Sequence, residues 1–153
     1  NIRFHPNFYR NGKVCLSLLN TWRGEQWTSC QTLSSVLLTI CSVMTINPLL
    51  NEPGINLKHR DNIPFNRIIT YQNINFSLID MITNEHIQDK FKIFNDQIIE
   101  NYIKNKDKIN KILDDLSSKY KDEYVLTTGI YSMNIKICYN TLLNKYQSIK
   151  KKY

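Results

Sequence analysis

The tight-turn dipeptide Asn11-Gly12, set between His5-Pro6-Asn7 and Cys15, constrains this chain more than any other feature. An Asn-Gly step favours a reversal of the backbone, because both residues tolerate the left-handed geometry that tight hairpins need. The turn folds Asn7 back beside the thiol of Cys15, eight positions further on. A cysteine next to a turn is expected to be partly exposed, as a nucleophile must be. The Asn7 amide has two possible roles. It can donate an N–H to the oxyanion that develops when an acyl carbonyl is attacked, or it can brace the loop through backbone hydrogen bonds. The sequence leaves both open.

Around this constellation, residues 1–30 read as short extended pieces joined by turns, and 13–19 as an apolar stretch too brief to assign. Residues 22–27, with an indole at each end (Trp22 and Trp27), read as an exposed loop pinned by those two indoles. From Thr32 the period becomes helical. Leu33, Val36, Leu37, Ile40 and Met44 form one stripe, which is expected to face a core. Ser29 or Thr32 is suited to cap the helix, and Asn47-Pro48 ends it. Asn51-Glu52-Pro53-Gly54 is a turn-rich loop, and residues 55–63 are irregular and polar. Pro64 fits the first turn of a second helix that runs to about 83. A third is expected over 85–116, with Asn105 on its polar side as a place where it can break, followed by a polar connector over 117–122. A last helix is expected over 123–150, its first turns weakened by Gly129, by about 1 kcal/mol relative to alanine.

Composition excludes several classes. The four cysteines form no CxxC pair, and with three histidines no zinc-site spacing arises, so no metal is expected. Cys30, Cys41 and Cys138 read as reduced, buried or half-buried thiols. No apolar run approaches the roughly 20 residues of a membrane span, and the first residues do not read as a signal peptide. A soluble, cytoplasmic protein with no membrane partner is expected. The net charge of +7 sits mostly after Lys90 and ends in Lys150-Lys151-Lys152. Those lysines are interleaved with Ile, Asn and Asp at helical spacing, the mark of a solvated helix face, so no nucleic-acid partner is expected. The abundance of Ile, Asn, Lys and Tyr is that of AT-rich coding DNA, found in protists and large DNA viruses. It leaves the nucleus or a virus-infected host cell as other locations.

His5-Pro6-Asn7-Phe8-Tyr9, Gly12-Lys13-Val14-Cys15-Leu16-Ser17-Leu18-Leu19 and the Trp22 that follows resemble the signature of the ubiquitin-conjugating enzymes. Residues 33–42 resemble the family's next helix, and Asn51-Glu52-Pro53-Gly54 the loop beyond it, so the resemblance covers 2–54 without a gap. The longer Trp22-to-Trp27 loop and the Asn-Glu-Pro-Gly turn resemble the branch of very large hybrid conjugating enzymes, the BRUCE or Apollon branch. The pattern Tyr71-Gln72-Asn73, Ile79, Ile82, Phe91 and Phe94 extends that likeness, less specifically, to about 116.

This resemblance implies an α+β ubiquitin-conjugating-enzyme (UBC-like) fold, N-terminally truncated and mainly α in this chain. It assigns 1–84 to the active-site and C-terminal half of the domain and 85–153 to a helical extension. It implies that Cys15 takes ubiquitin from a ubiquitin-activating enzyme as a thioester and passes it to a lysine of a protein substrate, with or without a ubiquitin ligase. No cofactor is needed, since the bond energy arrives stored in the thioester from an ATP-dependent pathway. A thiolate needs no paired histidine base. Glu52 matches a gate position, where a carboxylate orients the incoming lysine or favours its neutral form. His5 and Pro6 read as loop braces, and Trp22 and Trp27 as packing over the site.

The chain departs from the family in lacking the helix and sheet that precede His-Pro-Asn. It also begins without Met. A portion of a longer protein is expected; the alternative is that the helices from 64 onwards replace the sheet. Two other readings stand beside the enzyme: an inactive copy that keeps Cys15, and a helical protein-interaction module.

Overall fold

The structure, a computed structural model, describes residues 2–152. Its described residues are mostly helical, with one small two-stranded antiparallel sheet, consistent with the α+β UBC-like class. They pack as two units. The first runs to Arg67 and includes Thr127–Met133; the second is Ile68–Leu126 with Asn134 onwards. This is a division by packing. The division into 1–84 and 85–153 drawn on resemblance concerns where one fold type ends.

The first unit is rich in loops. Asn11-Gly12 turns as its sequence requires: Gly12 sits at φ +87°, its N–H bonds to the Tyr9 carbonyl at 3.0 Å, and Tyr9 bonds back to Lys13. A short 3-10 turn, Ser17–Leu19, follows Cys15. Helix α1 (Leu33–Val43) starts at Thr32, whose hydroxyl accepts the Ser35 N–H while the Ser35 hydroxyl accepts that of Thr32. This reciprocal box satisfies two amides that the first turn cannot. The expected apolar stripe of α1 does not face a core. Leu33 is 73 % exposed and Leu37 and Met44 more than half exposed, while Val36, Ile40 and Val43 are only half-buried. The inner line is therefore i, i+4, i+7 from Val36, a face too narrow to bury the leucines on either side of it. Pro48 opens a 3-10 turn to Asn51, with Pro48 and Leu49 buried. Helix α2 (Asn62–Gln72) places Pro64 in its first turn, where a missing N–H costs nothing.

The second unit begins within α2. The helical run continues as a π-helix over Asn73–Asp80 and then α3 (Met81–Thr83), so its end agrees with the sequence expectation. Asn84 caps α4 (Glu85–Lys90), its side chain accepting from the N–H groups of His86 and Ile87. The third expected helix breaks at Phe91–Phe94 rather than at Asn105. Asn105 satisfies its own amide against the carbonyl of Asn101 at 2.8 Å and lets the helix pass. At 91–94, two phenylalanines and Ile93 give a stretch of poor helix formers. Helix α5 (Asn95–Lys119) then runs on through part of the expected connector.

The expectation of one helix over 123–150 is wrong. Strand β1 (Tyr124–Thr128) and strand β2 (Met133–Ile137) form a hairpin, and α6 (Tyr139–Lys150) begins only afterwards. Strand β1 is rich in β-branched and aromatic residues (Tyr124, Val125, Thr127, Thr128), and β2 carries Ile135 and Ile137. Burial alternates along each, a period of two that a helix cannot accommodate. On α6, Tyr139, Leu142, Tyr146 and Ile149 are buried at helical spacing. They share a core with Leu113 and Tyr102 of α5 and with Tyr71, Ile79, Ile82 and Ile137. The Tyr146 hydroxyl donates to the Lys106 carbonyl at 2.6 Å, and its ring meets that of Tyr102 edge-on at 6.0 Å.

Among the described residues no helix is long and apolar enough to cross a membrane.

Candidate active site

Asn7 and Cys15 do come together. The Cys15 N–H bonds to the Asn7 carbonyl at 2.8 Å, and the Asn7 side-chain amide donates to the Cys15 carbonyl at 2.6 Å. That bond braces the loop, which is one of the two roles open to Asn7. Of its two amide N–H groups one is committed to Cys15, and its Oδ1 is buried without a partner.

His5 fixes the same loop from below. The Asn7 backbone N–H donates to His5 Nδ1 at 3.1 Å, which puts the ring proton on Nε2, 2.9 Å from the Val43 carbonyl at the end of α1. Burial, with the nearby Arg3 charge adding to it, holds the imidazole below its usual range against the opposing pull of the Val43 bond. It is a neutral, two-ended strut. Pro6 is buried beside it, and its carbonyl accepts from the Arg3 guanidinium at 2.5 Å.

The thiol itself overturns the expectation of partial exposure. Cys15 is 3 % exposed, and its Sγ–H donates to the Thr21 carbonyl at 3.2 Å. Thr21 wraps the cysteine on both sides. Its hydroxyl accepts the Leu16 N–H at 2.9 Å and lies 2.7 Å from the Val14 carbonyl, and its own N–H reaches Leu16 at 3.2 Å. Position 21 is a plain threonine before a tryptophan, and no sequence pattern singled it out. Trp22 and Trp27 lie in an exposed loop and are each 46 % exposed. Gly24 lies so close to the 3-10 turn that an added Cβ would stand 3.0 Å from that of Ser17. Cys30 and Cys41 are also exposed, against expectation, and Cys138 is half-buried. All four thiols are free.

Glu52 is bonded to a hairpin tip. Among the described residues its carboxylate accepts from the Tyr131 hydroxyl, not from Asn7 or Cys15. Tyr131 belongs to the hairpin tip, Thr127–Met133, which packs within the first unit. The tip is anchored at several points. The buried Asp61 carboxylate accepts the Ile130 N–H at 2.8 Å. Arg10 donates to the Tyr131 carbonyl at 2.6 Å. The Arg3 guanidinium, itself buried, stacks between the rings of Tyr9 at 3.5 Å and Tyr131 at 4.9 Å. Sequence reasoning missed Arg3, Asp61 and Tyr131. They sit far apart in the chain, and the helix expected over 123–150 hid the tip.

An open cleft of about 640 Å³ is lined by Asn20, Thr21, Trp22, Arg23, Gln26 and Pro53. It joins the segment that covers the thiol to the residue that follows Glu52. Among the described residues no group of three or more His, Cys, Asp or Glu side chains is placed to hold a metal ion.

Comparison with known proteins agrees with this region. Residues 1–66 match the sequence profile of the family described as ubiquitin-conjugating enzyme. Human ubiquitin-conjugating enzyme E2 Z is 48 % identical over 83 residues, 53 % of this chain and 23 % of its own length. The human dual E2 ubiquitin-conjugating enzyme/E3 ubiquitin-protein ligase BIRC6 is 49 % identical over 59 residues, 35 % of this chain and 1 % of its own. The probable ubiquitin-conjugating enzyme protein 17 of Caenorhabditis elegans is 26 % identical across 98 % of this chain. The chain spans about a quarter of the length of the curated relatives it matches first.

Proposed function

With residues 1–66 belonging to the ubiquitin-conjugating enzyme family, we propose that Cys15 accepts the C-terminus of ubiquitin as a thioester and transfers it to a substrate lysine. In the first step the Cys15 thiolate attacks the thioester carbonyl presented by the activating enzyme; the new C–S bond forms and the activating enzyme's thiolate leaves. In the second, a lysine amine attacks the Cys15 thioester. The C–N bond forms, the C–S bond breaks with Cys15 leaving as thiolate, and the amine's surplus proton passes to solvent. The pairing of Asn7 with Cys15 inside the matched segment carries this reading.

Charging requires the thiol to open. Its S–H is a weak donor, and residues 22–30 are exposed without regular structure, so the Thr21 segment is the part to move. The cleft beside Thr21 then receives the acyl chain. Glu52 orients the incoming amine or favours its neutral form. Ubiquitin, the activating enzyme, a protein substrate and, in some transfers, a ligase are the partners, and the cytoplasm is the proposed location.

The closed thiol favours a second reading, in which the site is an inactive copy. The two are separated by incubating the chain, and the longest product of its gene, with activating enzyme, ATP and ubiquitin. The enzyme reading expects an adduct that thiol reductant removes and that Cys15→Ala abolishes. No adduct on either product supports the inactive copy. Alkylation of the uncharged protein, followed by mass spectrometry, is expected to modify Cys30 and Cys41 before Cys15. Equal rates would show that the closed state does not persist in solution.

A further inference from the structure

We propose that Tyr131 is a positioning residue for lysine transfer: its hydroxyl tethers the Glu52 carboxylate in the orientation in which that carboxylate meets the incoming amine. The inference rests on the transfer reading above and deepens it. A carboxylate on a turn-rich loop such as Asn51-Glu52-Pro53-Gly54 has many orientations available, and the tether selects one. Tyr131 is itself held from several sides. Its backbone carbonyl is bonded to Arg10 and its ring stands over Arg3, with Phe65 6.0 Å away. One residue earlier the chain is pinned to the buried Asp61.

The backbone adds a second argument. Tyr131 and Ser132 both lie in the left-handed region, at φ +62° and +48°, where neither residue has glycine's freedom. Such a conformation is strained and persists only where the surroundings over-determine it. A glycine was within reach at position 129, yet the strained position holds the tyrosine whose hydroxyl reaches Glu52. Burial and the neighbouring Glu52 charge push the phenol upwards, so it keeps its proton and remains a donor. It transfers nothing in the reaction; it only fixes the acceptor.

The test uses purified Cys15–ubiquitin thioester of the wild type, Tyr131→Phe, Glu52→Gln and the double variant, with discharge followed per charged molecule. Phenylalanine keeps the ring against Arg3 and Phe65 and removes only the hydroxyl. Two nucleophiles are compared: free lysine, which must be oriented and deprotonated, and hydroxylamine, which is already neutral near pH 7. Tyr131→Phe is expected to slow discharge to lysine by about tenfold, move its pH profile to more alkaline values, and leave hydroxylamine discharge unchanged. The double variant is expected to be no slower than Glu52→Gln, because the two residues act as one unit. Unchanged lysine discharge, additive losses, or equal slowing with both nucleophiles would overturn the assignment. A wild type that never charges sinks the transfer reading itself, and this inference with it.

Discussion

His5 titrates in a direction that ties the loop to pH. Its Nδ1 must accept from Asn7, and a protonated ring has no acceptor to offer. The folded imidazole lies below the ordinary value of 6.5, chiefly through burial, so the unfolded chain binds a proton where the folded one does not. The stability from the neutral ring is therefore complete above pH 6.5 and declines as pH falls from there through the lowered folded value. Urea unfolding between pH 7.5 and 5 is expected to show a falling midpoint, with a flatter dependence in His5→Gln. A midpoint that does not change with pH in the wild type would contradict the strut. The neighbouring Cys15 illustrates the opposite limit of reading single residues. Its sequence context placed it correctly beside Asn7, but exposure depended on Thr21, six positions further on, bonding across it.

At the level of elements, α1 is eleven residues with no buried member, short of the length at which helices hold on their own. Its cap therefore matters more than usual. Thr32→Ala is expected to cost about 1 kcal/mol, read as a lowered urea midpoint with early loss of helical signal; no change would mean the end of the helix is held by something other than the box. The cap and the Asn-Gly turn were legible because each is a local rule satisfied by residues within a few positions. The 123–150 region was not. Tyr124-Val125-Leu126 can be read with either period, and Gly129 looked like a weak point in a helix when it stands at the hairpin turn, where an added Cβ would meet the Arg60 and Asp61 side chains. The stripe on α1 was legible as a pattern, but a pattern does not say whether anything covers it.

For the whole molecule, most of the fully buried apolar residues of the second unit lie where α5 and α6 meet the helical run before them. Leu113 is wholly buried there. Leu113→Ala is expected to cost about 2–5 kcal/mol through the cavity it leaves, measured by denaturant unfolding; a loss under about 1 kcal/mol would mean that the site collapses to fill it. The matched family segment ends at residue 66, and the sequence was informative mainly within it. Contacts between distant positions, such as Asp61 with Ile130 and Glu52 with Tyr131, follow from no local rule.

Those two long-range bonds span 69 and 79 positions. A ribosome adding about 5–20 residues per second leaves the two carboxylates waiting for roughly 3–16 s before their partners are made. During that interval the nascent polypeptide already carries Cys15 and Glu52 but nothing to hold the carboxylate, so on the proposed transfer reading the tether to Tyr131 is completed well after the nucleophile has been made.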